Sequence, residues 1–201
     1  FKQEANFYKR RGGNVFWVGH PMIDLTKKLP SMKDSRKILK LRANQNILLL
    51  MPASRPQELR YILPTFLKTA KKLQLRYPTL IVYIPSCRRV FDKRFRKGLE
   101  KYEIKGKVIS QQDDYELMPY IYSLTKLALC KSGTVNMELA LFGIPQIVGY
   151  RVSRITAFIA KKILNFKVRF ISPVNLLVKR LIIPEFVQKN FNEKQIFYQA
   201  C

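Results

Sequence analysis

The sequence predicts an α/β fold in which helices cover both faces of a doubly wound parallel sheet. Apolar runs recur along the chain, and they are continuous rather than alternating, which is typical of strands buried on both faces. Segments with helical periodicity separate these runs. Such alternation favours a parallel sheet, because two parallel strands need a crossover connection, which is usually a helix.

The strands are predicted from composition and from the residues that end them. NILLLMPAS at 46–54 is the clearest, because it is wholly apolar until it ends in small residues. A short N-terminal strand is predicted at Asn14–Pro21, ending in a Gly-His-Pro turn. The other predicted strands are LIVYIP at 80–85, KVIS at 107–110, LALC at 127–130, PQIVGY at 145–150 and a last short strand at 168–172.

Helical spacing fills the intervals between these strands. From Gln57 to Tyr77 apolar residues recur every three or four positions, and Pro78 ends the helix. A polar connection with a short helix is expected between Lys27 and Gln45, and short helices and loops are expected after Pro173. The remaining predicted helices are Phe91–Tyr102, Asp113–Ser123, a helix opened by the Ser-Gly-Thr segment and running to Phe142, and an amphipathic helix at Arg154–Asn165.

Composition limits the classes of function. The 201 residues are 47% hydrophobic, which is enough for one globular domain. No apolar run reaches the ~18–20 residues of a membrane span. A single histidine, His20, excludes a multi-histidine metal site. No metal or cofactor is expected. Three widely spaced cysteines indicate a reducing compartment. The net charge of +25 favours a polyanionic partner.

Small residues and cations follow three of the predicted strands. PASRPQE follows ILLLM, KSGT follows LALC, and GYRVS follows PQIV. Ligands of an open parallel sheet bind beyond the carboxyl ends of its strands. The first two segments place small residues and free backbone amides at a helix start, which favours an anion. Arg55 adds a planar cation suited to a diphosphate.

Glu138 lies about one helical turn beyond Thr134, where its carboxylate could accept both hydroxyls of a ribose. The alternative is structural. Serine and threonine before a helix are ordinary caps, and Glu138 could complete a capping box. Short motifs match by chance, so the residues alone leave both interpretations open.

The order of these segments resembles the C-terminal half of lipid-A-disaccharide synthase, a two-domain glycosyltransferase of the GT-B type. The resemblance extends from Phe16 to Gln188 and rests on segments that follow the family's order. They are FWVGHPMID, LLLMPASRPQELRYILPTFLKTA, KSGTVNMELALFGIPQIVGYRVS with TAFIAKKIL after it, the Asn-Leu-Leu of ISPVNLL, and IIPEFVQ.

The resemblance implies a Rossmann-like domain that binds a nucleotide sugar. It assigns binding to the residues that match the family's motifs: Ser54, Arg55, Glu58, Ser132, Gly133, Thr134, Glu138, Tyr150, Arg151, Asn175, Glu185 and Gln188. The chain departs from the pattern at Lys131, where the family usually has a small residue before Ser-Gly-Thr. It also has Ala53 in place of a glycine, and its proline at 173 comes one place early.

The implied reaction transfers a diacylated glucosamine from UDP to a diacylated glucosamine 1-phosphate, which yields a lipid A precursor. The resemblance divides the chain into an N-terminal connection with the first strand (1–21) and a nucleotide-sugar-binding α/β domain (22–201). It places the acceptor side and the catalytic base on an N-terminal domain outside this sequence. No catalytic residue is therefore assigned here. His20 has no recognisable orienting partner, Asp113 and Asp114 lie at a predicted helix start where they can serve as caps, and Glu138 would be occupied by the ribose.

Two functions from different classes remain open. The first is the UDP-sugar domain of a membrane-peripheral glycosyltransferase. The second is a non-catalytic basic subunit that docks in a larger assembly, which the charge favours. The expected partners are a UDP-linked lipid sugar and an anionic membrane surface. Nucleic acid is less favoured, because the basic segment at 86–101 lacks interleaved aromatic platforms. The expected location is cytoplasmic or organellar (plastid or mitochondrion), at a membrane periphery.

Overall fold

A computed structural model describes residues 2–19, 21–25, 29–110, 114–153, 156 and 169–201. Its centre is a parallel sheet, as predicted, and the described sheet has six strands. The strands are β1 (Asn46–Met51), β2 (Leu80–Ser86), β3 (Gly106–Ser110), β4 (Thr125–Lys131), β5 (Gln146–Tyr150) and β6 (Glu185–Val187).

The described helices lie before, between and after these strands. They are α1 (Lys2–Lys9), α2 (Pro21–Leu25), α3 (Met32–Leu39), α4 (Pro56–Tyr61), α5 (Leu63–Arg76), α6 (Arg89–Lys101), α7 (Met118–Leu124), α8 (Val135–Leu141), α9 (Pro173–Val178) and α10 (Glu193–Ala200). Short 3₁₀ turns span Tyr115–Leu117 and Gln188–Asn190.

Both faces of the sheet are buried, which explains the continuous apolar runs. Successive side chains of a strand point to opposite faces. In β1, Leu48 and Leu50 pack against α4, α5, α6 and α10. Ile47 and Leu49 pack on the other face against α3, α7, α8 and α9. All four leucine and isoleucine side chains are fully buried.

The strand order fixes where a ligand crevice forms. The order across the sheet is β3-β2-β1-β4-β5-β6, so the direction of chain progression reverses between β1 and β4. In an open α/β sheet the loops on either side of such a switch point diverge to opposite faces and leave a crevice at the carboxyl ends. The two loops in question are those that carry Ser54–Arg55 and Ser132–Thr134.

The predicted N-terminal strand at Asn14–Pro21 is wrong. Residues 14–19 form no strand, and α2 begins at Pro21. Phe16 and Val18 are 77% and 92% exposed. A strand exists only through pairing with a neighbour, and this segment is not paired with either edge of the sheet. Residues 1–21 thus contain a helix, α1, but no strand among those described.

The single helix predicted at Gln57–Tyr77 is two helices. The break lies at Ile62, and Pro64 occupies the first turn of α5. A proline inside a helix lacks the amide that would bond four residues back, and its ring meets that carbonyl. The apolar spacing continues across the break because both helices face the same side of the sheet. Pro119 acts similarly: it lies in the first turn of α7, which starts at Met118 rather than near Asp113.

The last strand was predicted in the wrong place. Residues 169–172 form no strand, whereas Glu185–Val187 pairs with β5 as β6. The backbone amides of Ile171 and Ser172 donate to the Glu185 carboxylate at 2.8 Å each, instead of to a neighbouring strand. Of the other predicted features, His20, Asp113 and nearly all of Arg154–Asn165 lie outside the described residues.

Candidate functional site

A partly buried ion pair joins the two loops at the switch point. Glu58 Oε2, in the first turn of α4, accepts hydrogen bonds from the backbone amides of Ser54 at 2.7 Å and Arg55 at 3.0 Å. Its other oxygen, Oε1, lies 3.0 Å from Lys131 Nζ at the end of β4. The Lys131 and Glu58 side chains are only 16% and 12% exposed. The pair therefore ties the loop after β1 to the loop after β4.

Around this pair, several polar groups remain unused by the fold. Arg55 and Thr134 are exposed, and neither makes a side-chain hydrogen bond within the described part of the chain. Gly133 lies close to the lysine: a β-carbon built on it would be 3.6 Å from Lys131 Nζ. The crevice thus holds an exposed guanidinium, an exposed hydroxyl and a nearby ammonium, a set of donors that suits an anionic ligand.

The Ser-Gly-Thr segment is shaped by contacts on its inner side. The Ser132 hydroxyl donates to the carbonyl of Ile171, and the Gly133 amide donates to Asn136 Oδ1 at 2.9 Å. Asn136 is fully buried, and its Nδ2 also lies 3.2 Å from Gln146 Oε1. The side chain of Asn136, rather than that of Ser132 or Thr134, therefore accepts the hydrogen bond from the backbone amide of the turn.

The capping-box interpretation of Glu138 is wrong. Thr134 is the N-cap residue of α8, but its side chain makes no capping hydrogen bond. Glu138 lies beyond the position that a capping box requires. Its Oε1 instead accepts a hydrogen bond from the Tyr122 hydroxyl at 3.0 Å. Glu138 therefore keeps one oxygen with no partner among the described residues.

Burial sets the protonation behaviour of this carboxylate. Desolvation raises the pKa of Glu138 above its usual range, and the hydrogen bond from Tyr122 opposes that rise. Desolvation also raises the pKa of the Tyr122 phenol, and the Glu138 charge raises it further. Tyr122 therefore remains a hydrogen-bond donor at any physiological pH and fixes the orientation of the carboxylate.

Arg151, at the end of β5, is engaged by the fold. Its guanidinium donates to the carbonyls of Gln188, at 3.1 Å, and Phe191. It also lies over the Phe191 ring, 5.1 Å from the centroid. Tyr150 is half-buried and packs against the same core. Arg151 thus anchors the 3₁₀ turn after β6, in which Gln188 adopts a positive φ of 52°.

Asn175 and Glu185 form a buried clamp between α9 and β6. Asn175 Nδ2 donates to Glu185 Oε1 at 2.7 Å and to the Ile183 carbonyl at 2.8 Å. Asn175 Oδ1 accepts from the amides of Ile182 and Ile183. With the Ile171 and Ser172 amides also bound to Glu185, every polar atom of both side chains is occupied.

The predicted site residues therefore fall into two groups. Ser54, Arg55, Glu58, the Ser-Gly-Thr segment and Glu138, in the helix that follows this segment, belong to the β1/β4 switch point. The second group lies at the β5/β6 edge and comprises Tyr150, Arg151, Asn175, Glu185 and Gln188. Ile171 links the groups, because its carbonyl accepts from Ser132 while its amide donates to Glu185.

Sequence reasoning missed three residues that shape the site. The sequence predictions include Lys131 only as a departure from the family pattern. They do not include Tyr122 or Asn136. Asn136 follows Gly133 by three positions, a spacing at which an asparagine side chain can reach the backbone, so its role had a local signal. The contact between Tyr122 and Glu138 had none, because helix α7 meets α8 only in the folded sheet.

Within the described residues, no cluster of histidine, cysteine and carboxylate side chains could hold a metal ion. Among the helices that the structure describes, none has the length and apolar character needed to cross a membrane.

Comparison with known proteins identifies close relatives along the whole sequence. The family model described as lipid-A-disaccharide synthetase matches residues 1–201. The lipid-A-disaccharide synthase of Prochlorococcus marinus (strain MIT 9313) is 48% identical over 200 residues, which are 100% of this chain and 51% of that protein. The synthase of Gloeothece citriformis (strain PCC 7424) is 35% identical over 200 residues, with the same coverage of 100% and 51%. The chain spans about half the length of the curated relatives it matches.

Solved structures confirm the fold. UDP-GlcNAc 2-epimerase from Methanocaldococcus jannaschii superposes with a TM-score of 0.60 at 15% identity, covering 100% of this chain and 52% of that one. The ADP-heptose lps heptosyltransferase II of E. coli gives a TM-score of 0.57 at 8% identity, covering 92% and 51%. The sheet is thus the Rossmann-like α/β type found in GT-B glycosyltransferases.

Proposed function

This chain belongs to the lipid-A-disaccharide synthetase family, and from that premise we propose that it is the UDP-sugar-binding part of a glycosyltransferase of lipid A biosynthesis. The proposed donor is a diacylated glucosamine linked to UDP, and the proposed acceptor is a diacylated glucosamine 1-phosphate. The reaction joins the two sugars and releases UDP. No metal or cofactor is required in this proposal.

The observation that carries the proposal is the position of the donor groups. The loop with Arg55 and the loop with Thr134 lie on either side of the β1/β4 switch point, where open α/β sheets bind their ligands. Glu58 and Lys131 hold the loops together. An exposed guanidinium, as at Arg55, matches the oxygens of a diphosphate, because its planar fork can donate two parallel hydrogen bonds.

Glu138 is the proposed ligand of the ribose. Tyr122 occupies Oε1 and orients the carboxylate, which leaves Oε2 available as an acceptor. An ionised carboxylate accepts hydrogen bonds from sugar hydroxyls and repels phosphate, so we expect it to bind the sugar rather than the diphosphate. At the β5/β6 edge, Tyr150, Arg151 and Gln188 remain predicted contacts of the donor, whereas Asn175 and Glu185 support them through the clamp.

Calorimetry of UDP with the purified chain tests the binding part of the proposal. We expect saturable heat with one site. The absence of heat at millimolar UDP, from protein shown to be folded by circular dichroism, would contradict the proposal. Adenosine diphosphate serves as a control for simple attraction of a diphosphate to a basic protein.

Catalysis is tested separately with a UDP-release assay that contains the diacylated donor and acceptor. We expect residues 1–201 by themselves to release no UDP. Glycosyl transfer needs an aligned acceptor hydroxyl and a base within hydrogen-bond reach. The family resemblance assigns both to the other domain. Turnover by residues 1–201 would show that a catalytic group lies within this chain.

The net charge of +25 favours a second candidate, a non-catalytic basic subunit that docks in a larger assembly. The two candidates differ in a measurable way. A synthase that contains this chain together with the family's N-terminal domain should turn over the lipid substrates. A docking subunit would remain inert in that context and would co-purify with its assembly at low ionic strength.

A further inference from the structure

Lys131 carries a charge that the fold does not fully use. Its Nζ lies 3.0 Å from Glu58 Oε1, although the lysine side chain is only 16% exposed. An ammonium group has three N–H donors. Within the described part of the chain, Glu58 is the one partner of this Nζ. The ammonium group therefore has donors left over that can bind the acceptors of a ligand.

The position of the ammonium identifies what it can reach. It lies beside Gly133, as the 3.6 Å approach of a built β-carbon shows. It also lies next to the turn of Ser54 and Arg55, because Glu58 binds both of those amides and the ammonium. Lys131 Nζ is therefore at the meeting point of the two loops that form the crevice.

The negative charge of Glu58 does not neutralise the positive charge that a ligand beside Lys131 would meet. Two backbone amides and the ammonium share the Glu58 carboxylate, so a cation and two amide dipoles surround one negative charge. The adjacent Arg55 guanidinium is exposed. The described side chains of the two turns thus carry two cations and one carboxylate, and this balance favours an anion.

We propose that Lys131 binds the diphosphate of the UDP-sugar, and that Glu58 positions it by holding the ammonium between the two loops. This inference rests on the proposed function of the crevice. The ammonium is a compact point charge whose donors rotate, so it can keep Glu58 and bind phosphate oxygens at the same time. Lys131 then acts with Arg55, and the position before Ser-Gly-Thr is part of donor recognition in this chain.

A comparison of UDP with uridine tests the inference. UDP binding is measured by calorimetry and uridine binding, which lacks phosphate, by NMR titration. We expect Lys131→Met to weaken UDP binding by about tenfold to a hundredfold, with uridine binding unchanged. Lys131→Arg, which keeps the positive charge, should bind UDP more tightly than Lys131→Met does.

Lys126→Met is the matched control. Lys126 is an exposed residue at the other end of β4, so its replacement removes the same charge far from the crevice. It should leave UDP affinity unchanged. Thermal unfolding of each variant shows whether the protein is folded at the temperature of the titration, and if Lys131→Met is not, Lys131→Gln is used under the same criteria.

Three results would overturn the inference, and they separate it from the proposed function. If Lys131→Met binds UDP as tightly as Lys126→Met does, the ion pair is purely structural while the UDP site stands. If UDP and uridine weaken equally, Lys131 supports the loops and does not contact the diphosphate. If the unaltered chain binds neither compound, the proposed function fails, and this inference fails with it.

Discussion

Arg55 is exposed at the turn after β1, and nothing in the described part of the chain pairs with its guanidinium. A side chain that is exposed and unpaired contributes little to the stability of the fold and is available to bind a ligand. We expect Arg55→Ala to weaken UDP binding by roughly 1.5–3 kcal/mol, the value of a charge-assisted hydrogen bond. The stability of the protein should not change.

Arg60 supplies the control for this prediction. It is exposed in α4, the helix that begins directly after Arg55, and lies over the Tyr61 ring at 5.7 Å from the centroid. Arg60→Ala removes the same charge at a neighbouring position. Equal losses of UDP affinity in the two variants, measured by calorimetry, would mean that Arg55 acts only through the net charge of the protein.

Glu138 is the residue whose ionisation should affect stability. Its pKa is raised in the folded protein, chiefly by desolvation. A glutamate with a raised folded pKa contributes stability that is fully present below its unfolded pKa of about 4.3 and is lost as pH rises through the folded pKa. Glutamine does not ionise, so Glu138→Gln should become more stable relative to the unaltered protein as pH rises through this window.

Urea unfolding at a series of pH values measures this difference. Tyr122→Phe provides a second check, because it removes the hydrogen bond that lowers the pKa of Glu138. The window should then extend to higher pH. A stability difference between Glu138→Gln and the unaltered protein that stays constant with pH would refute the prediction.

At the scale of elements, the clamp connects α9 to the last strand of the sheet. β6 has only three residues and, among the described strands, pairs with β5 alone. Asn175 holds the segment that leads into β6, because both polar atoms of the Asn175 side chain bind the backbone of Ile183. Asn175 is also fully buried. Asn175, which matches a motif of the family, thus makes contacts that support the fold.

We therefore expect Asn175→Ala to lower the free energy of unfolding by at least about 1–3 kcal/mol, because buried donors and acceptors lose their partners. Asn190→Ala is the control, since Asn190 is exposed in the 3₁₀ turn after β6. Denaturant unfolding compares the two variants. Equal stability of Asn175→Ala and Asn190→Ala would show that β6 does not depend on the clamp.

Helices α4 and α5 show that the sequence can predict a helical segment correctly and still give the wrong bounds for its helices. The apolar spacing from Leu59 to Leu73 is helical throughout, and all of its members are buried on one face. Periodicity reports which side of the backbone is buried. It does not report the break at Ile62, which follows from the missing amide of Pro64.

At the scale of the whole molecule, the net charge of +25 predicts attraction to anionic surfaces. The proposed lipid substrates would bring the protein to a membrane, and anionic lipids make such a surface negative. We expect it to float with vesicles that contain anionic lipid and to be released at about 1 M salt, where the Debye length is roughly 3 Å. Vesicles of neutral lipid are the control, and equal flotation with both would contradict an electrostatic association.

Local sequence patterns are enough to predict the alternation of strands and helices, because burial on both faces of the sheet requires continuous apolar runs that are visible in the sequence. They also indicate which loops carry small residues and cations, since Ser54–Arg55 and Ser132–Thr134 adjoin those runs directly. The N-terminal segment at 14–19 shows the limit of this reasoning. Its apolar residues have strand composition, but a strand also needs a partner, and pairing is not a local property.

The contacts made by the side chains of the site depend on the folded arrangement of the whole sheet. Lys131 lies 73 positions from Glu58, and Tyr122 lies 16 positions from Glu138. Each pair meets because the sheet places β4 beside β1 and packs α7 near α8. The same arrangement engages Arg151, Asn175 and Glu185 in the fold and leaves Arg55 exposed. Contacts between distant residues depend on the strand order, and no local pattern encodes that order.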